Sequence, residues 1–161
     1  MAKARAICKC EKCGAEFVRE KICRNRAEAD NFEKWAVENF TLCGACWKKE
    51  QDEKAAAKDA EFPPIKVGSE KQIAWAIKIR LAAVEKLRDY IQPVTENDDE
   101  EDKKTFVCMT RLLAAITSHE DARWYIDHQN ALEYGVYSGV YRKFWRELLD
   151  PIIDEYEKEN V

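Results

Sequence analysis

The chain has 161 residues, 46% of them hydrophobic and 36% charged, with a formal net charge of −4. An aromatic content of 11% with five tryptophans excludes a disordered chain, and no apolar run approaches the ~20 residues of a membrane span. Five glycines and four prolines leave little loop material, so helices are expected to dominate.

The charge is unevenly spread. Residues 1–26 hold eight Lys/Arg against three Asp/Glu, and the remainder nineteen against twenty-eight. A basic module followed by an acidic body disfavours non-specific nucleic-acid binding by the chain as a whole, because phosphate repels the body. Met1 to Cys8 contains no apolar segment of signal-peptide length, so a cytoplasmic location is expected. Seven cysteines in a reducing compartment then read as metal ligands and spare thiols rather than disulfides.

Residues 6–24 read as a short hairpin arm, with apolar Phe17 and Val18 near the metal that its cysteines would hold. The arm carries Cys10-Glu11-Lys12-Cys13-Gly14, and the second pair, Cys43-Gly44-Ala45-Cys46, follows about thirty residues on. Two such pairs supply the four thiolates of a tetrahedral zinc site, with Gly14 and Gly44 easing the tight turns. Four thiolates leave no open coordination position, so the zinc is expected to be structural. Cys8 remains an alternative to Cys10, and Cys23 lies between the pairs. Cys108, in an apolar helix, reads as core.

Between the pairs, Asn25 is placed to cap a helix over residues 26–40. Ala29, Phe32, Trp35, Ala36 and Phe40 share one face of it. After Cys46, residues 47–60 favour a solvated helix with a Glu50–Lys54 pair, stopped by Phe62-Pro63-Pro64. The expected division is therefore a zinc-ribbon module with a charged connecting helix over 1–62, then a helical bundle over 63–161. The expected fold class is mainly α: an N-terminal zinc ribbon with an inserted helix, followed by the bundle.

In the second half, Ser69 and Gln72 form a capping box for a helix running to about Gln92 and ending at Pro93. Ile73, Ile77, Val84, Leu87 and Ile91 make its stripe, widened by Trp75 and Ile79. Residues 95–104 read as an acidic connector. A helix over about 104–117 follows, and then one capped by Ser118 with Asp121 in its first turn. A last aromatic helix is expected over 136–147, with Tyr137, Tyr141, Phe144 and Leu148 on one face. Pro151 should break it, leaving a short tail helix over 152–156.

Candidate chemistry outside the zinc site is sparse. His119 and His128 have no serine or cysteine partner in a recognisable catalytic order, and there is no Gly-rich phosphate loop. The chain is expected not to be an enzyme. The run Asp98, Asp99, Glu100, Glu101 and Asp102 reads either as a solvated loop or as a mimic of phosphate in a cationic nucleic-acid channel. The aromatic set around Trp124, Tyr137 and Tyr141 is mostly core by spacing. Any exposed member would make a partner-binding patch.

Three stretches together resemble a family of largely uncharacterised zinc-ribbon proteins of phages and mobile elements of Gram-positive bacteria. They are Cys10 to Gly14 with Arg26–Asp30, Trp35 and Cys43 to Cys46; Gly68–Ala76 with Ile79 and Arg80; and Ile116–Ser118 with Ala122–His128. The resemblance implies a phage-type protein acting in the bacterial host cytosol, and by analogy a zinc-containing type II anti-CRISPR protein. Such a protein would bind a host defence protein, the RNA-guided DNA nuclease, and block target-DNA loading. Trp124, Tyr137 and Tyr141, or the acidic run, would make the contacts. The alternative is a zinc-ribbon nucleic-acid-binding regulator, in which Lys9, Lys12, Arg19, Lys21, Arg24 and Arg26 meet phosphate with a steep salt dependence.

Overall fold

The computed structural model describes residues 1–91 and 99–160. It is mainly helical, with a small two-stranded sheet at the N-terminus. The chain divides into two compact units, Met1–Lys54 and Ala55–Val161. None of the helices among the described residues is long and apolar enough to cross a membrane.

In the first unit, β1 (Ala2–Lys9) pairs antiparallel with β2 (Glu16–Cys23), in register from Ala2 opposite Cys23 to Lys9 opposite Glu16. Side chains alternate across a strand. Ala4, Ala6 and Cys8 are therefore buried, while Lys3, Arg5, Ile7 and Lys9 are exposed. The buried side is covered by α1 (Arg26–Asn39). The Asn25 side chain accepts from the Glu28 amide at 2.9 Å, and the Glu28 carboxylate accepts from the Arg24 amide at 3.0 Å. These bonds satisfy donors that the helix start leaves open.

Ala29 and Ala36 sit against the strands fully buried, with Phe32 and Phe40 half-buried beside them. Alanine and cysteine on the strand face leave room only for small side chains at the centre of this interface. Trp35 is accordingly displaced to the rim. It stays 50% exposed, with its ring against Phe32 and Phe40 rather than the strands.

The charged helix α2 (Gly44–Asp59) starts inside the second cysteine pair, three residues ahead of the expected start at Trp47. The Trp47 amide already donates to the Cys43 carbonyl at 2.9 Å. The Glu50–Lys54 pair forms at 2.8 Å.

In the second unit, α3 (Glu70–Ile91) packs against α4 (Glu100–Thr117), α5 (Ala122–Asp127) and α6 (Gln129–Tyr134). After a 3-10 turn over Gly139–Tyr141, α7 (Arg142–Glu159) lies on α4. The Ser69–Gln72 capping box forms in both directions: the Ser69 amide donates to Gln72 Oε1 at 2.9 Å and the Gln72 amide to Ser69 Oγ at 3.4 Å. The core joins Ile79, Ala83 and Leu87 of α3 to Met109, Leu112 and Ile116 of α4, with Tyr125, Leu132 and Trp145. Gly68 enters this core at φ +136°, where a Cβ would lie 2.9 Å from that of Ala122. Only glycine relieves both constraints.

Several sequence expectations change here. Trp75 is 47% exposed and does not widen the buried stripe. Glu100, Glu101 and Asp102 form the first turn of α4 rather than a connector, with Asp99 as its cap, where carboxylates meet the positive end of the helix dipole. Ser118 closes α4 instead of opening α5, and Asp121 is the cap of α5, accepting from the Arg123 amide at 2.8 Å. The aromatic helix begins at Arg142, and Pro151 lies inside it. The carbonyl that Pro151 leaves unpaired belongs to exposed Glu147, where water serves it. Leu148 and Leu149 before the proline and Ile152 after it pack on the same core, which carries the helix through. The expected helix end at Gln92 and Pro93, and Asp98 of the acidic run, lie outside the described residues.

Arg80, fully buried, forms a bidentate pair with buried Asp59: Nε donates to Oδ1 at 2.8 Å and Nη2 to Oδ2. Its Nη1 donates to the carbonyls of Pro63 at 2.8 Å and Thr117 at 3.1 Å. Phe62 and Tyr125 lie over the guanidinium at 5.6 and 5.7 Å. The end of α2 is thereby held within the second unit, Ala55–Val161.

Candidate metal centre

The first cysteine turn leaves the end of β1. The Cys10 amide donates to the Ala15 carbonyl at 2.9 Å and the Gly14 amide to the Cys10 carbonyl at 2.8 Å. Gly14 closes the turn at φ +72°, as its place in the motif demands. Gly44 needs no such freedom: its φ is not positive and a Cβ there would meet open space. The two turns are tied by the Glu11 amide donating to the Thr41 carbonyl at 2.9 Å and by Lys12 pairing with Glu50 at 3.0 Å.

This framework gathers Cys10, Cys13, Cys43 and Cys46, whose sulfurs all lie within 4.8 Å of one another. The Cys13–Cys43 separation is 3.8 Å. Four sulfurs at about 2.3 Å from a tetrahedral zinc stand about 3.8 Å apart, so the donor set fits one zinc-type ion. Cys10 is buried, Cys43 and Cys46 are half-buried, and Cys13 is exposed. Backbone N–H groups of Cys43 and Cys13 directed at its sulfur lower the Cys10 thiol to about 6. The Cys46 thiol is raised to about 12 by hydrogen bonds from Cys43, Cys13 and Cys10. A cation bound among the four sulfurs would favour their thiolate forms.

Cys8 and Cys23 stand outside this cluster. Cys8 Sγ donates to the Ala36 carbonyl at 3.4 Å, and Cys23 packs with Ala4 and Ala29. Cys108 is buried in α4, and burial raises its thiol.

The basic residues of the first unit are largely neutralised within it. Lys3 and Arg5 pair with Glu20, Lys21 with Glu28, and Arg26 with Asp30 and Glu33. Arg19 lies over the rings of Phe40 at 4.6 Å and Phe17 at 5.5 Å.

The partner-binding candidates do not come together. Trp124 is half-buried and stacked on His119 at 3.6 Å, with the His128 ring at 5.0 Å. Tyr141 is half-buried near Tyr134. Tyr137 is 72% exposed, edge-on to Tyr90. Asp99, Glu100, Glu101 and Asp102 stand at the start of α4. Sequence reasoning missed the surroundings of Trp145, because aromatic spacing marks that residue as core and says nothing of its indole nitrogen.

No protein-family model, curated protein or solved structure matches the chain.

Proposed function

We propose that this chain is a non-enzymatic protein, built on a zinc ribbon and a helical bundle, that binds and inhibits a host defence protein. The resemblance supplies the concrete target, the type II RNA-guided DNA nuclease, with target-DNA loading as the blocked step. The observation that carries a protein-binding reading is the exposed run beside the 3-10 turn: Tyr134 at 68%, Tyr137 at 72% and Val140 at 83%. Large tyrosines left in water are the anchors that protein interfaces use. A four-thiolate metal offers no open position for water or substrate. His119 and His128 are engaged with Trp124 and Phe144 rather than with a nucleophile.

The nucleic-acid alternative is less well supported. Five of the eight cations in residues 1–26 already face carboxylates of their own unit, which leaves few for phosphate.

The test is size-exclusion chromatography of the chain with guide-loaded type II nuclease, followed by measurement of target-DNA loading. A stable complex that loads no DNA, weakened at least tenfold by Tyr137→Ala, is expected. Absence of a complex, or salt-sensitive binding of the chain to bare DNA, would replace this reading with the regulator.

A further inference from the structure

We infer that the groove between Val136–Gly139 and the adjoining face of α7 docks a peptide segment of a partner protein in which a carboxylate stands next to an apolar side chain. The inference rests on the protein-binding reading above, but not on the nuclease as the partner.

The groove has two lobes, of about 620 and 250 Å³, which share Gly139, Arg142, Arg146 and Asp150. The smaller lobe is lined by Val136, Leu149, Ile153 and Trp145, an apolar floor suited to an aliphatic or aromatic side chain. Trp145 is 2% exposed, yet its indole Nε1 has no acceptor among the described residues. A buried donor without a partner is costly and rare, and it makes this ring a sensitive reporter on packing at the groove floor.

The rim supplies the charge. Arg142 and Arg146, one helical turn apart, have no carboxylate within ion-pair distance among the described residues, whereas Lys143 faces Glu147 at 3.8 Å. The same end of α7 has no side-chain cap and no acid in its first turn, so the helix dipole adds to the positive field. Two guanidiniums and an uncapped helix start match a carboxylate. Asp150 and Glu147 stand further along the same wall and would repel a second phosphate of a polyanion. A mixed rim of this kind suits a peptide with one well-placed acid better than a nucleic-acid strand.

The experiment is selection of a displayed random heptapeptide library on the full zinc-loaded chain, in parallel with the Arg142→Ala, Arg146→Ala double variant. Both arginines are exposed, and an unchanged thermal midpoint by circular dichroism checks the variant's fold. Enrichment of peptides with Asp or Glu beside Leu, Phe or Trp is expected, and its loss on the double variant. The synthesised winners should bind at least tenfold more weakly to the variant, and when their acid is made an amide. They should also move the Trp145 indole N–H resonance.

Enrichment without carboxylates, equal recovery on the variant, an unmoved Trp145 resonance, or displacement of the winners by a twelve-nucleotide oligothymidylate would overturn the inference. So would self-association of the chain that the double variant abolishes. A chain that inhibits the nuclease but selects no such peptides sinks this inference alone. Selected peptides without nuclease binding sink only the nuclease as target.

Discussion

Met1–Lys54 and Ala55–Val161 bury different kinds of residue. The interior of the first unit is alanine and cysteine: Ala4, Ala6, Ala29 and Ala36 with Cys8, Cys10 and Cys23. The second buries Ile79, Leu87, Leu112, Ile116, Leu132, Tyr125 and Trp145, with one ion pair at its margin. Hydrophobic stabilisation follows apolar area, at roughly 25 cal/mol per Å². A unit of this size lined with methyl groups has little of it. A metal held by the four cysteines would therefore have a mechanical role, fastening a unit with a thin core, while the other unit has packing to hold it.

Stripping the metal gives the largest expected effect. Structural zinc in finger-type peptides contributes an apparent ~10–16 kcal/mol at neutral pH, so the first unit should unfold when a strong chelator removes the ion. Amide resonances of β1, β2 and α1 are expected to collapse to random-coil positions, while those of α3, α4 and α7 stay in place. Elemental analysis should return one zinc per chain, and Cys13→Ser should reproduce the loss. Native shifts for β1 and β2 in the metal-free chain would erase the contrast between the units.

The second unit has its own point of failure. Asp59→Ala leaves the buried Arg80 guanidinium without a counter-charge, with only the Pro63 and Thr117 carbonyls as partners, which costs about 3–5 kcal/mol. Urea titration followed at resonances of α3 and α4 should show that loss, with the first unit unaffected. Replacing both partners, Asp59→Leu with Arg80→Met, should recover most of it, because an apolar pair of similar size carries no desolvation penalty. A single variant within 1 kcal/mol of the parent would mean that water reaches the guanidinium.

Much of this was legible because it depends on neighbours in sequence. The cysteine turns, the Asn25 cap and the Ser69–Gln72 box are local geometry within a few residues, and all four sulfurs of the expected set converge. What stayed hidden depends on partners far along the chain. Arg80 looks like one more charge on an amphipathic helix until the turn at Pro63 brings Asp59 back to it across 21 residues. Pro151 signals a break by every local rule, and only the shared core beneath Leu149 and Ile152 overrides it. The place of Glu100, Glu101 and Asp102 in a helix stayed hidden for a simpler reason: carboxylates that repel one another in a loop are favourable at a helix start, and the sequence does not show where α4 begins.

The Asn25 cap offers a milder probe of the first unit. With the zinc in place, Asn25→Ala removes the acceptor for the Glu28 amide and should cost about 1 kcal/mol. The measurement is hydrogen exchange in the first turn of α1, which should speed up there and not in α3. Equal acceleration in both helices would contradict the independence of the two units.

Acid should separate the units by mechanism, with the smallest effect in the second. His119 stacks on Trp124 with ring planes 13° apart and meets Tyr125 edge-on. Burial, and then the neighbouring charge of His128, hold its pKa below the ordinary histidine value of 6.5. Between the depressed folded value and 6.5 the unfolded chain binds the proton and the folded chain does not. Stability of the second unit should therefore be level above 6.5 and fall as pH drops through the folded value. The ring is partly open to water, so the slope should be shallow. His119→Gln should flatten it. In the first unit acid acts differently, by protons competing with the metal for the four thiolates, and excess zinc should move that transition to lower pH. A slope in the second unit that survives His119→Gln would assign it to another titrating group, and one that shifts with added zinc would show that the two units respond to acid through one shared site.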